Sequence, residues 1–251
     1  VNPPPETPSR TLDSHPESAA ETPAAPPKSV AREYGEALVI ALVLAIIIRT
    51  FLLEAYMIPS GSMEPTLLIG DHIMVNKMAY GIRLPDSIFG LQIPELPLGH
   101  YLIHFGSIHR GDVIVFVPPQ DRDKDFIKRV IGLPGDKVQI KNGRVWLNGR
   151  PMDDPHAHLE VPDSARLPDS SRDNYGFIGA NGSIVGPIEV PPGRLFVMGD
   201  NRDHSDDSRY WGFANESDVE GRAFVIYWSW DGEEGGLLPL RWSRFGMLLG
   251  R

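Results

Sequence analysis

The sequence predicts a mainly β protein, an antiparallel β body with a loop-rich insertion, anchored by an N-terminal transmembrane helix. Three observations lead there. Short β-branched runs recur from about residue 70 onward, the stretch 137–149 (KVQIKNGRVWLNG) alternates around an Asn142-Gly143 turn signal, and a single unbroken apolar run at 37–48 precedes them all. The chain shows no alternating strand–helix series, no GxGxxG and no phosphate loop.

Residues 1–32 are Pro, Ala, Ser, Thr and Glu with almost no large apolar side chains, which predicts a disordered tail. Residues 33–55 are the expected anchor. Their uninterrupted apolar part is short for a spanning helix, so a buried core helix is the competing reading. The run is apolar on all sides, and Arg49 at its far edge can snorkel to an interface. Lys28 and Arg32 precede it, which favours a cytoplasmic N-terminus. Residues 56–142 are read as the first part of a catalytic β core, 143–193 as the inserted subdomain, and 194–251 as the last part of the core with its tail. Strand candidates are 112–117 (DVIVFV), 137–149, 194–198 (RLFVM) and 223–230 (AFVIYWSW).

A net charge of −9 argues against a nucleic-acid partner. The absence of cysteine excludes disulfides, thiol catalysis and cysteine-ligated zinc. None of the eight histidines sits in an HExxH, and their spacing suggests no metal site. No cofactor is expected.

Three stretches carry chemistry. In IPSGSMEPTL (58–67), Ser60 and Ser62 would share one face of an extended chain, with Pro59 and Pro65 stiffening it. A serine needs a base. DFIKRVIGLPGD (125–136) offers Lys128, which as a strand residue shares its face with Phe126 and Val130 while Arg129 points away. Desolvation there would lower the lysine pKa from about 10.4 towards about 8. GDNRDHSDDSRYWG (199–212) has the alternating oxygens of a calcium loop, but position 208 is Ser and no Glu closes it. A turn pinned by Asp207 and Arg209, with Ser205 orienting the lysine, is the better fit. Taken singly, each stretch also has a plainer reading: Ser62 as a turn or N-cap residue, Lys128 as a lysine snorkelling from a strand.

Taken together and in this order, the stretches IPSGSMEPTLLIGD (58–71), RGDVIVF (110–116), FIKRVIGLPGDKV (126–138) and GDNRDHSDDSRYWG (199–212) resemble the bacterial type I signal peptidases, membrane-anchored Ser–Lys peptidases. The resemblance implies Ser62 as nucleophile, Lys128 as general base, Ser60 as the hydroxyl completing an oxyanion hole with the Ser62 N–H, and Ser205 as a hydrogen-bond partner of the lysine. It implies Asp207 and Arg209 as structural supports. Tyr56, Ile58, Pro59, Met63, Leu67, Val115, Phe126 and Ile127 map to the substrate pockets, which would take the small side chains at −1 and −3 of a signal peptide. The implied partners are signal peptides of secretory preproteins and the phospholipid bilayer. The implied location is the inner membrane, single-pass, with the catalytic body on its outer face.

The chain departs from the family pattern in three ways. Phe126 stands where a tyrosine is expected, one span is visible rather than two, and the insertion lacks a cysteine pair. Tyr227, Trp228 and Trp230 read either as interfacial anchors or as strand-core aromatics. Two rival functions are a self-cleaving Ser–Lys regulatory protease and a non-catalytic, membrane-tethered β-rich binding protein. The second requires Ser62 and Lys128 to lie far apart.

Overall fold

The computed structural model describes residues 30–83, 101–141, 144–160, 187–231 and 240–250. The expected disordered tail up to residue 29, the Asn142-Gly143 turn and residues 161–186 of the insertion lie outside the described residues. Contacts divide the chain into two units, one ending at Leu42 and one beginning at Val43.

Helix α1 (Val30–Ile47) continues as a π-helical turn, Ile48–Leu52. Residues Arg32–Leu52 form a 21-residue candidate span of mean hydropathy 2.3, none of it buried within the protein. At helical rise this is about 30 Å, the thickness of a bilayer core. A buried core helix is therefore not what this run forms. The span stops at Leu52 rather than at residue 55, because Leu53 turns extended and opens a strand.

The strands follow in chain order. They are β1 (Leu53–Met57), β2 (Asp71–Asn76), β3 (Gly81–Arg83), β4 (Tyr101–His104), β5 (Val113–Phe116), β6 (Phe126–Gly132), β7 (Lys137–Lys141), β8 (Arg144–Leu147), β9 (Arg150–Pro151), β10 (Ile188–Glu189), β11 (Arg194–Met198), β12 (Ala214–Asn215), β13 (Val219–Ser229) and β14 (Met247–Leu248). One eight-stranded sheet runs β1-β2-β13-β5-β6-β11-β12, with β14 on β13. A four-stranded sheet runs β10-β7-β8-β9, and β3 pairs β4. Every strand pairing is antiparallel. Register shifts along β13 and between β6 and β11 bend the large sheet.

The small sheet begins at Lys137, ahead of the boundary at 143 that composition suggested. The reason is the pairing of β7 with β8, Lys141 opposite Arg144. A two-residue turn, Asn148-Gly149, joins β8 to β9 with φ of 52° and 80°, a conformation open to Asn and Gly. The strand candidate 194–198 is β11, and the candidate 223–230 falls on β13, which starts at Val219 and ends at Ser229.

Three apolar cores form. The first joins Ile58, Met63 and Leu67 to Ile73, Val75, Val113, Val115, Ala223 and Ile226. The second lies on Ile114, Phe116, Val130, Leu195 and Val197. The third fills the space between the two sheets with Ile131, Val138, Ile140, Phe196 and Met198. Tyr227 (39% exposed), Trp228 (38%) and Trp230 (45%) are not core aromatics. Trp228 packs edge-on against Phe245, which stacks on Trp242.

A buried carboxylate closes the sheet's start. Asp71 is fully buried and accepts from Ser229 Oγ (2.6 Å), Leu68 N–H (2.9 Å) and the Arg244 guanidinium (2.6–3.0 Å), which also donates to Thr66 O. Truncating one partner of such a pair leaves the other charge uncompensated. Arg244→Ala is expected to lower unfolding stability by about 3 kcal/mol, read as the urea midpoint. A shift below about 1 kcal/mol would mean that Ser229 and the Leu68 amide suffice.

Candidate active site

The serine stretch is a closed loop. Ile58 N–H donates to Asp71 O (2.8 Å) and Gly70 N–H to Ile58 O (3.0 Å). Ile58, Met63 and Leu67 are buried in the first core, each contributing about 1.5–3 kcal/mol of apolar burial. This fixes the residues between them to face outward. The stretch is not extended throughout, as alternation suggested. Ser60 is extended, but Gly61–Met63 folds into a 3-10 turn closed by Glu64 N–H to Gly61 O (3.1 Å). Ser60 and Ser62 both line the cleft, through the turn rather than through a strand period. The Ser60 hydroxyl makes no capping bond to the turn.

Lys128 lies on β6, opposite Ile114 of β5. It is 5% exposed, and Nζ stands 5.5 Å from the Phe126 ring centroid. Nζ is 2.7 Å from Ser62 Oγ, across 66 residues of sequence. Among the described residues Lys128 makes no ion pair. Burial pushes its ammonium down to about 8, against the pull of Asp207, Asp206 and Asp200, with Arg209 helping to lower it. Above about pH 8 the neutral amine predominates and can accept the Ser62 hydroxyl proton.

The third stretch holds the other two together. Asn201 N–H donates to Ser62 O (3.2 Å), and Asn201 Nδ2 donates to Gly61 O (3.3 Å). Gly199 leaves room for this approach: a Cβ there would stand 2.3 Å from both Ser62 O and Ser205 Oγ. Asp207 accepts from Gly199 N–H (3.0 Å) and, through both oxygens, from Arg209 (2.8 Å each). Arg209 also donates to Arg202 O (2.7 Å). Asp200 takes a two-point bond from Arg129 (2.7 and 2.8 Å), the residue beside the lysine, and Arg129 also donates to Gly111 O (2.7 Å). Asp207 and Arg209 are thus placed as supports of the turn. The bond between Ser205 and Lys128 is not made. Among the described residues the buried Ser205 Oγ has no hydrogen-bond partner, because its side chain lies over Gly199 while Nζ turns to Ser62.

A cleft of about 560 Å³ opens at the pair. Tyr56, Ile58, Pro59, Met63, Phe126 and Ile127 line it as expected. Leu67 and Val115 do not; both are fully buried in the core beneath, Val115 on a strand flanked on both sides. Sequence reasoning missed Asn201, Gly199 and the Arg129–Asp200 pair, although all stand in the quoted stretches. It also missed Asp125, Glu160, His204 and Asp206 on the cleft wall. Among the described residues no cluster of three or more His, Cys, Asp or Glu could hold a metal.

The profile described as "Signal peptidase, peptidase S26" matches residues 31–228. The signal peptidase I of Pseudomonas fluorescens is 35% identical over 236 residues, covering 86% of this chain and 78% of its own. Signal peptidase I P of Bacillus subtilis subsp. natto is 32% identical over 202 residues, covering 80% of this chain and 90% of its own. A solved signal peptidase I from Enterococcus faecalis V583 is 34% identical and covers 47% of this chain and 97% of its own, with a TM-score of 0.35.

Gly199→Ala tests the turn's hold on the serine loop. The added methyl has no space, so Ser62 or Ser205 must move. A displacement near 1 Å typically costs about 100-fold in rate. We expect kcat on a preprotein to fall by at least that factor in a variant with unchanged circular dichroism; a loss under threefold would show that the loop is positioned without the turn.

Proposed function

The chain belongs to the family of S26 signal peptidases, serine endopeptidases that remove signal peptides, and we propose that it does so with Ser62 as nucleophile and Lys128 as its base. The observation that carries this reading is the 2.7 Å approach of a buried, unpaired lysine amine to the Ser62 hydroxyl. The same distance counts against a non-catalytic binding protein, which had no reason to bring them together. The N-terminal candidate span counts against a self-cleaving regulatory protease.

In this mechanism the neutral Lys128 amine takes the Ser62 proton as Oγ attacks the scissile carbonyl. Charge develops on the carbonyl oxygen, where the Ser60 hydroxyl and the Ser62 N–H are the proposed donors. The tetrahedral adduct collapses, the mature protein's amine leaves with the proton from Lys128, and an ester on Ser62 remains. Water then attacks the ester, giving a proton to Lys128. The second tetrahedral adduct collapses, its bond to Ser62 Oγ breaks, the signal peptide leaves with its new carboxyl group, and Ser62 Oγ takes the proton back from Lys128, which is neutral again. Ser205, whose hydroxyl lacks a partner, is the proposed acceptor for the ammonium that forms at each step. Tyr56, Ile58, Pro59, Met63, Phe126 and Ile127 form the substrate wall, apolar and shallow enough for small side chains at −1 and −3. One span with a cytoplasmic N-terminus would set the body on the outer face of the inner membrane. The exposed Tyr227, Trp228, Trp230 and Trp242 are suited to contact the headgroup region there.

Ser62→Ala and Lys128→Ala are each expected to abolish cleavage of a secretory preprotein by the full-length, detergent-solubilised chain. The double variant should be no worse than either single, because the two groups act as one unit. Appreciable turnover by Lys128→Ala would remove lysine as the base.

The pH profile follows from the lysine. Below about 8 Lys128 is protonated and cannot accept a proton, so kcat/KM should rise with pH through an acid limb near 8. Phe126→Ser readmits water around Nζ, raises the lysine pKa and moves the limb to higher pH. A limb near 6, or one unmoved in Phe126→Ser, would contradict desolvation as the source of reactivity.

A further inference from the structure

We propose that Glu220 is a positioning residue that pins the Tyr56 ring as a rigid wall of the cleft, and that this pinned wall limits the size of the substrate side chain lying against it. The inference rests on the peptidase reading above and adds a determinant of selectivity to it.

Tyr56 lines the cleft beside Ile58 and Ile127 and packs onto the first core. Its phenol reaches from β1 to the start of β13 and donates to Glu220 Oε2 at 2.6 Å. Glu220 in turn accepts from Arg83 of β3 at 3.2 Å. The two charged side chains are 11% and 7% exposed. Burial, and the neighbouring Glu220 carboxylate, push the Tyr56 phenol far above its ordinary range, so it keeps its proton and remains the donor.

Such a chain is an odd way to fill space. Apolar side chains of the same volume would be as stable or more so, since desolvating a carboxylate and a guanidinium offsets most of what their contact returns. What the polar chain adds is direction. A short bond from a phenol to a carboxylate is charge-assisted and fixes the ring at its far end as well as at Cβ. A phenylalanine ring in the same place is held only by packing and can pivot. A substrate side chain with an extra methylene must displace the wall, and here that means breaking the bond to Glu220. The tether therefore sharpens a preference for small side chains that apolar contact alone would leave modest.

The test is a peptide series carrying Ala, Val or Leu at −1 or at −3 of one signal-peptide cleavage site. It is cleaved by the full-length chain in detergent as wild type, Tyr56→Phe, Glu220→Gln and the double variant. The readout is the Ala/Val and Ala/Leu ratio of kcat/KM at each position. Tyr56→Phe should lower the ratio about three- to tenfold at one of the two positions and leave the other as it is. Glu220→Gln keeps an acceptor oxygen but not the charge and should lower it less. The double variant should match Tyr56→Phe, because both changes act through one bond. A purely structural hydrogen bond would shift the melting temperature and leave every ratio unchanged; that result, or a change in Glu220→Gln with none in Tyr56→Phe, overturns the proposal. If Tyr56→Phe fails to fold, the smaller drop in Glu220→Gln decides alone. The peptidase reading stands or falls separately, on whether wild type cleaves the Ala peptide and Ser62→Ala does not.

Discussion

The buried lysine beside Ser62 is the constraint around which the rest of the site is arranged. An ammonium at 5% exposure with no carboxylate bonded to it is costly, and the molecule lowers that cost by leaving the amine neutral at mildly alkaline pH. Three nearby aspartates work in the opposite direction. Two of them, Asp200 and Asp207, are each clamped through both oxygens by an arginine, Arg129 and Arg209. Arg209 thus does more than satisfy buried oxygens: its cation also helps to lower the lysine pKa against the pull of the aspartates.

The position of Ser62 is decided in the core rather than at the surface. Ile58, Met63 and Leu67 are buried on the first core, and the three-residue turn between them leaves Ser60 and Ser62 on the cleft side. Asp71 then ties the loop's far leg to β13 and to the C-terminal Arg244. Asn201 grips the backbone of Gly61 and Ser62 from the opposite side. A hydroxyl held by so many distant segments keeps its direction towards the amine, which the proposed attack by Ser62 requires.

This arrangement buries much polarity: Asp71, Arg129, Asp200, Asp207 and Arg209 are all buried. Buried pairs add little net stability over apolar packing, yet each is expensive to break. The polar interior therefore supplies direction more than stability. The Tyr56–Glu220–Arg83 chain has the same character at the cleft wall.

Strands β5 to β8, β11 and most of β13, the apolar run, the three chemical stretches and the depressed lysine were legible in the sequence because each depends on near neighbours; β1 to β4, β9, β10, β12 and β14 were not. Alternation marks a strand, an unbroken apolar run marks a span, and Phe126 and Val130 on the face of Lys128 foretell its desolvation. The end of the span at Leu52, the start of the small sheet at Lys137, the 3-10 turn at Gly61–Met63, the burial of Leu67 and Val115 and the unpartnered Ser205 were settled by tertiary structure. So were the contacts between Lys128 and Ser62, 66 residues apart, and between Tyr56 and Glu220, 164 apart. The physical reason is common to all of them. Side-chain period and composition act along the chain, whereas which groups share a dry space depends on strand pairing and on what the core has already taken in.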